Sequence, residues 1–141
     1  MTNFIAKDSS FSVTFAPRFQ TRYQSQWEYD GVDYLPPDYN FLVRRARLTF
    51  DGFAFSSKLT YFIELGLSNH DVSGASIYNR NTPRYILDAV IKWNFYENFE
   101  FWAGQTKLPG NIERVVSSGD LQLIDRSLLN SKFNIDRDIG I

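Results

Sequence analysis

Residues 41–55, FLVRRARLTFDGFAF, set three arginines among large apolar side chains. Read with a period of two, the stretch is a β-strand with unequal faces. Leu42, Arg44, Ala46, Leu48 and Phe50 fall on one face. Val43, Arg45, Arg47, Thr49 and Asp51 fall on the other. Three readings of the arginines compete: a nucleic-acid patch, a solvated sheet edge, and the wet wall of a pore.

Alternation recurs on either side. In 11–27, Phe11, Val13, Phe15, Pro17, Phe19 and Tyr23 alternate with Ser12, Thr14, Arg18, Gln20, Arg22 and Gln24. Pro17 has no N–H for a ladder, so a bulge or an edge is expected there. A third strand runs from Lys58 to about Ser68, with Leu59, Tyr61, Ile63, Leu65 and Leu67 opposed to Lys58, Thr60, Phe62, Glu64 and Gly66. A fourth, Tyr85 to Phe95, sets Tyr85, Leu87, Ala89, Ile91, Trp93 and Phe95 against Ile86, Asp88, Val90, Lys92 and Asn94. A fifth covers Phe99 to Thr106. The organisation expected is a leading segment over 1–10, strands one to five within 11–106, and a weakly periodic region over 107–141. In that last region Ile112, Val115 and Val116 fit a short helical turn.

Composition narrows the function. The chain has 141 residues, 15 basic and 16 acidic, for a net charge of -1. Such balance gives no polyanion-binding signature, so no nucleic-acid partner is expected. There is no cysteine, which removes disulfides, thiolate nucleophiles and thiolate metal sites. His70, the one histidine, stands in a polar loop with no nucleophile frame beside it, and reads as a surface residue. Glu64 and Asp88 are the one carboxylate pair to weigh, and nothing in the sequence sets their spacing. An enzyme is therefore not expected, nor any cofactor. No run approaches the ~20 apolar residues of a spanning helix. The opening MTNFIAKDSS lacks the basic and apolar regions of a secretory signal.

Aromatic residues make up 17% of the chain and recur along the strands. Alternation is common to a soluble β-domain, with its apolar face inward, and to a transmembrane β-barrel, with that face outward. Aromatic load on long strands, and a mosaic of charges on the polar faces, favour the barrel. A soluble all-β domain binding lipid or carbohydrate is the alternative, and a porin remnant without channel activity is another.

Several ordered pieces carry a family resemblance. FSVTFAPRFQTRY (11–23), VRRARLTFDGFAF (43–55), LTYFIELGL (59–67), ILDAVIKWNFYENFEFWAGQTKLP (86–109) and SSGDLQLIDRSLLN (117–130) together resemble the amino-terminal part of the phosphate-selective porin O and P family. Gly104, Gln105, Lys107 and Pro109 match its G-Q-x-K-x-P turn. The resemblance implies an all-β, antiparallel transmembrane barrel of 16 strands, of which five or six lie here. It implies the bacterial outer membrane, contact with outer-membrane lipid, assembly as a homotrimer, and passage of small inorganic anions such as phosphate. It also implies that part of 107–141 folds inward to narrow the pore.

Parity then selects candidates for pore lining or anion contact. They are Arg18, Arg22, Arg45, Arg47, Lys58 and Lys92 on polar strand faces, and Arg114, Ser117, Ser118 and Arg126 in the segment after Pro109. For each the alternative is wall charge paired with carboxylates. Arg44 has the opposite parity. It is expected toward lipid, with its stem snorkelling to the boundary.

Overall fold

The computed structural model describes residues 2–69, 71–72, 85–108, 112–117, 119–122, 126–132 and 137–141, without the side chains of 114, 131 and 132. Seven strands form one open antiparallel sheet in sequence order: β1 (Thr2–Ile5), β2 (Ser12–Gln26), β3 (Asp38–Ala54), β4 (Ser56–Gly66), β5 (Ile86–Tyr96), β6 (Phe99–Lys107) and β7 (Arg137–Gly140). Two short helices, α1 (Ile112–Val115) and α2 (Leu128–Lys132), lie between β6 and β7. The five strands expected from alternation are β2 to β6. β1 and β7 are additions, the first inside the stretch read as a leading segment. Each has four residues, too few for a period of two to stand out.

The connections differ by end. At one end β1 joins β2 through residues 6–11, β3 joins β4 through Phe55, and β5 joins β6 through residues 97–98. At the other end the connections are 27–37, 67–85 and 108–136. Short turns on one side and long loops on the other are the pattern of outer-membrane barrels.

Burial runs opposite to that of a soluble sheet. Phe19 is 69% exposed, Phe41 71% and Trp93 52%, all on the apolar face. On the polar face Arg45 is 5% and Asp88 2% exposed. Among the described residues the buried apolar side chains are Ala46, Leu87 and Val90 alone. A water-soluble domain cannot leave so large an apolar face uncovered. The soluble alternative needs these aromatics around a core or cavity, and they point away from one.

Two bulges change the parity read from sequence. β2 pairs with β3 as Gln20↔Arg45 and then Thr21↔Val43, so Arg44 is an extra residue. Beyond it the faces exchange: Val43 and Phe41 lie outward, and Leu42 stands opposite Arg22 on the polar face. Arg44 is buried rather than turned to the apolar exterior. The expectation that it faces lipid is thus corrected, because a bulge resets the alternation. The second bulge lies between β4 and β5, where Glu64↔Asp88 is followed by Leu65↔Ile86. Leu87 is the extra residue and is buried, while Ile86 is exposed. The sequence places both on the opposite faces. Pro17 sits opposite Leu48 with no bulge, and the four residues of β1 reach only to Phe15. Among the described residues no strand pairs with β2 beyond Phe15 on that side, where a residue without N–H is tolerated.

Candidate functional site

The register lines up a belt of charge across the polar face. Arg18 of β2 stands opposite Arg47 of β3, Glu64 of β4 opposite Asp88 of β5, and Lys107 of β6 opposite Arg137 of β7. Arg47 lies opposite Gly66, where no side chain blocks its reach along the face. Its Nη1 donates to Glu64 Oε1 at 2.9 Å. Its Nε and Nη2 donate to Asp71 Oδ1 at 3.0 and 2.6 Å. Arg137 repeats the arrangement: Nε and Nη2 donate to Asp88 Oδ2 at 3.2 and 3.1 Å, and Nη2 reaches Glu64 Oε1 at 3.4 Å. The result is a chain of alternating charge, Asp71–Arg47–Glu64–Arg137–Asp88. Each guanidinium fork serves two carboxylates, a task for which its planar donors are suited. Glu64 and Asp88, the carboxylate pair weighed for acid–base chemistry, are members of this ion-pair chain.

Asp71 sits in the connection after β4, outside the strands. Burial alone raises its carboxyl pKa. Hydrogen bonds and charge from Arg47, with help from Ser68 and the Ala46 amide, outweigh burial and hold it below the usual aspartate value.

The other candidates distribute along and around the belt. Arg45 is buried, and its Nη1 donates to Gln20 Oε1 at 2.6 Å. Arg22 lies farther toward the long-loop end, opposite Leu42. Lys92 lies toward the short turns, with Nζ 3.9 Å from the Trp102 ring centroid, a cation–π contact on the polar face. Lys58 is exposed near the start of β4.

In the segment after β6, a Cβ added to Gly119 would lie 2.8 Å from Arg18 Nη1, so this segment packs against the polar face. Ser117 is exposed and closes a turn, accepting the Gly119 amide on Oγ and the Asp120 amide on its carbonyl. Arg126 donates through Nε to the Glu113 carbonyl at 2.9 Å and through Nη2 to the Val116 carbonyl at 2.8 Å, binding the end of α1. Burial and then the positive charge of Arg47 push its pKa below the usual arginine value, with Arg137 adding to the effect against Glu113. Arg126 is therefore within electrostatic reach of the belt. Ser118 and His70 lie outside the described residues, as does the side chain of Arg114.

Sequence reasoning did not single out Asp71 or Arg137. Asp71 belongs to an aperiodic polar stretch, and Arg137 to a strand too short to carry parity. Neither has a local signal. Both are identified by partners far along the chain, 24 residues away for Arg47–Asp71 and 49 for Arg137–Asp88.

Gly104 and Gln105 acquire a physical role. Gly104 has φ 128°, and a Cβ there would collide with the Ala89 carbonyl oxygen, so glycine is required. Gln105 Nε2 donates to the carbonyls of Ile86 and Leu87 at 3.0 and 2.9 Å. It clasps the second bulge.

A single antiparallel meander with an apolar exterior, a charged and covered opposite face, and loops sorted by length is the wall of a transmembrane β-barrel. The profile of a family described as phosphate-selective porin O and P matches residues 18–141, and the chain belongs to that family. It is an outer-membrane porin by that membership. No curated protein matches the chain significantly.

Proposed function

We propose that the polar face lines a water-filled passage for the passive diffusion of small anions, phosphate or polyphosphate among them. The observation that carries this reading is that Arg18 and Arg45 share with the ion-paired Arg47 and Arg137 a polar face whose reverse side is apolar. Arginine donors suit phosphate oxygens, and a low-dielectric wall focuses their field along the passage. Arg22 on one side of the belt, and Lys92 and Lys58 on the other, extend the positive character along the axis. Arg126, with Ser117 of its segment, narrows the passage from within. The apolar face meets outer-membrane lipid, and the full-length protein assembles as a homotrimer.

The test is the reversal potential of the full-length channel under chloride and phosphate gradients. Arg18→Gln and Arg45→Gln are each expected to lower anion preference about two- to tenfold, as removal of one lumen charge at partial screening would. Unchanged preference in both variants removes these arginines from the mechanism.

A further inference from the structure

β4 stops at Gly66, opposite Arg47, while β3 runs on toward Asp38. Among the described residues no strand pairs with that side of β3 from Ala46 onward, and edge amides and carbonyls without hydrogen-bond partners are costly where water is scarce. The connection after β4 meets the first of them. Leu67 N donates to the Ala46 carbonyl at 2.8 Å, and the Ala46 amide donates to Asp71 Oδ2 at 3.2 Å. A carboxylate oxygen thus stands where the carbonyl of a neighbouring strand would be. Ser68 builds the turn that presents it. Its carbonyl accepts the Asp71 and Val72 amides at 3.0 and 2.9 Å, and its Oγ donates to Asp71 Oδ2 at 2.8 Å. Ser68 Oγ also lies 3.4 Å from the Arg44 carbonyl, at the bulge itself. Gly66 leaves the room required, because a Cβ there would lie 2.8 Å from Asp71 Cβ.

We infer that Asp71 is a positioning residue that latches the β4–β5 connection to β3 at Ala46 and sets the charge Arg47 presents to the passage. The inference rests on reading the polar face as the passage lining. With Asp71 and Glu64 both on its fork, Arg47 is a neutralised wall group. The anion-attracting charge of the belt then falls to the other arginines. Loss of the Asp71 charge leaves Arg47 with Glu64, which it shares with Arg137, and hands the surplus positive charge to the passage.

The test uses the full-length protein in lipid with Asp71→Asn. Two readouts are expected to move together. Amide hydrogen exchange in peptides covering 41–48 and 65–72 quickens. The chloride-over-potassium permeability ratio rises roughly two- to fivefold, the effect of one unmasked charge at a solvated wall. Adding Arg47→Gln to Asp71→Asn is expected to reverse the gain in permeability ratio and leave exchange fast, which a purely structural role would not do. Unchanged exchange in Asp71→Asn overturns the latch. Faster exchange with an unchanged permeability ratio overturns the charge-setting role. If Asp71→Asn does not assemble, Ser68→Ala removes the hydroxyl bond and leaves both charges. Faster exchange at 41–48 is then expected, and its absence overturns the latch. A wild-type channel without anion preference counts against the proposed function alone, since the exchange result still decides the latch.

Discussion

The two bulges, at Arg44 and at Leu87, are the same backbone event with different consequences. Each inserts one residue and exchanges the faces of a strand. At Leu87 the inserted side chain is apolar and lies 3.1 Å from where a Cβ of Gly66 would be. One neutral side chain, Gln105, clasps that backbone. At Arg44 the inserted residue is cationic, and the backbone is held by a loop that brings a carboxylate with it. A bulge that turns in an apolar side chain needs only a hydrogen-bond clasp. One flanked by buried guanidiniums also needs compensating charge, because an unpaired buried ion costs several kcal/mol.

Misplacing a parity change is expected to do the most damage. Deleting Thr49, within the regular part of β3, is expected to prevent assembly. Either Arg45 and Arg47 or Asp51 must then face lipid, at about 2–4 kcal/mol for each arginine near the midplane. Loss of the heat-modifiable folded band on a gel is the readout.

Next come the clasps. Arg47→Ala leaves Glu64 and Asp71 without their shared partner and is expected to cost about 3–5 kcal/mol in urea unfolding from lipid. Gln105→Ala breaks neutral hydrogen bonds only and is expected to cost about 1 kcal/mol. Equal losses would mean that the two bulges are held by the same kind of force.

Proton uptake separates the clasps as well. The charged group facing Asp71 is Arg47, with Glu64 on the far side of the same guanidinium. The folded Asp71 pKa is lowered, so its contribution is complete above the unfolded aspartate value and is lost as pH falls through the folded one. Exchange protection of the Ala46 amide is therefore expected to survive through about pH 4, the ordinary aspartate range, and to fail below it. Protection near Gln105 should show no such loss from its own side chain.

The mildest change is the removal of one arginine from Arg44–Arg45. The remaining arginine takes the place opposite Gln20, and Thr21↔Val43 follows in register. Stability is expected to change by no more than about 1 kcal/mol, since both faces keep their sides. Failure to assemble would show that the inserted residue, and not parity alone, is required there.

The polar sides of β2 and of the lower part of β3 were legible, because Arg18, Arg45 and Arg47 keep the parity of their neighbours. Leu42, Val43, Ile86 and Leu87 were misplaced, since a bulge leaves no mark in a strand's own alternation. Of the belt, Arg47, Glu64 and Asp88 were legible as polar-face residues, but their mutual pairing was not. Asp71 and Arg137 reach the belt from a loop and from a four-residue strand, where periodicity is silent.

Alternating strands with one greasy and one charged side, and the family resemblance, are written in the sequence. Period-two patterning is a local property, written into each strand independently. Tertiary structure decided which side is covered, where the alternation resets, and which arginines are matched by carboxylates. Those outcomes depend on register between strands and on contacts spanning 17 to 73 residues, as in Arg47–Glu64 and Arg137–Glu64. Arg44, the first arginine of FLVRRARLTFDGFAF, leaves the apolar face by that route: the partner strand makes it the extra residue of a bulge.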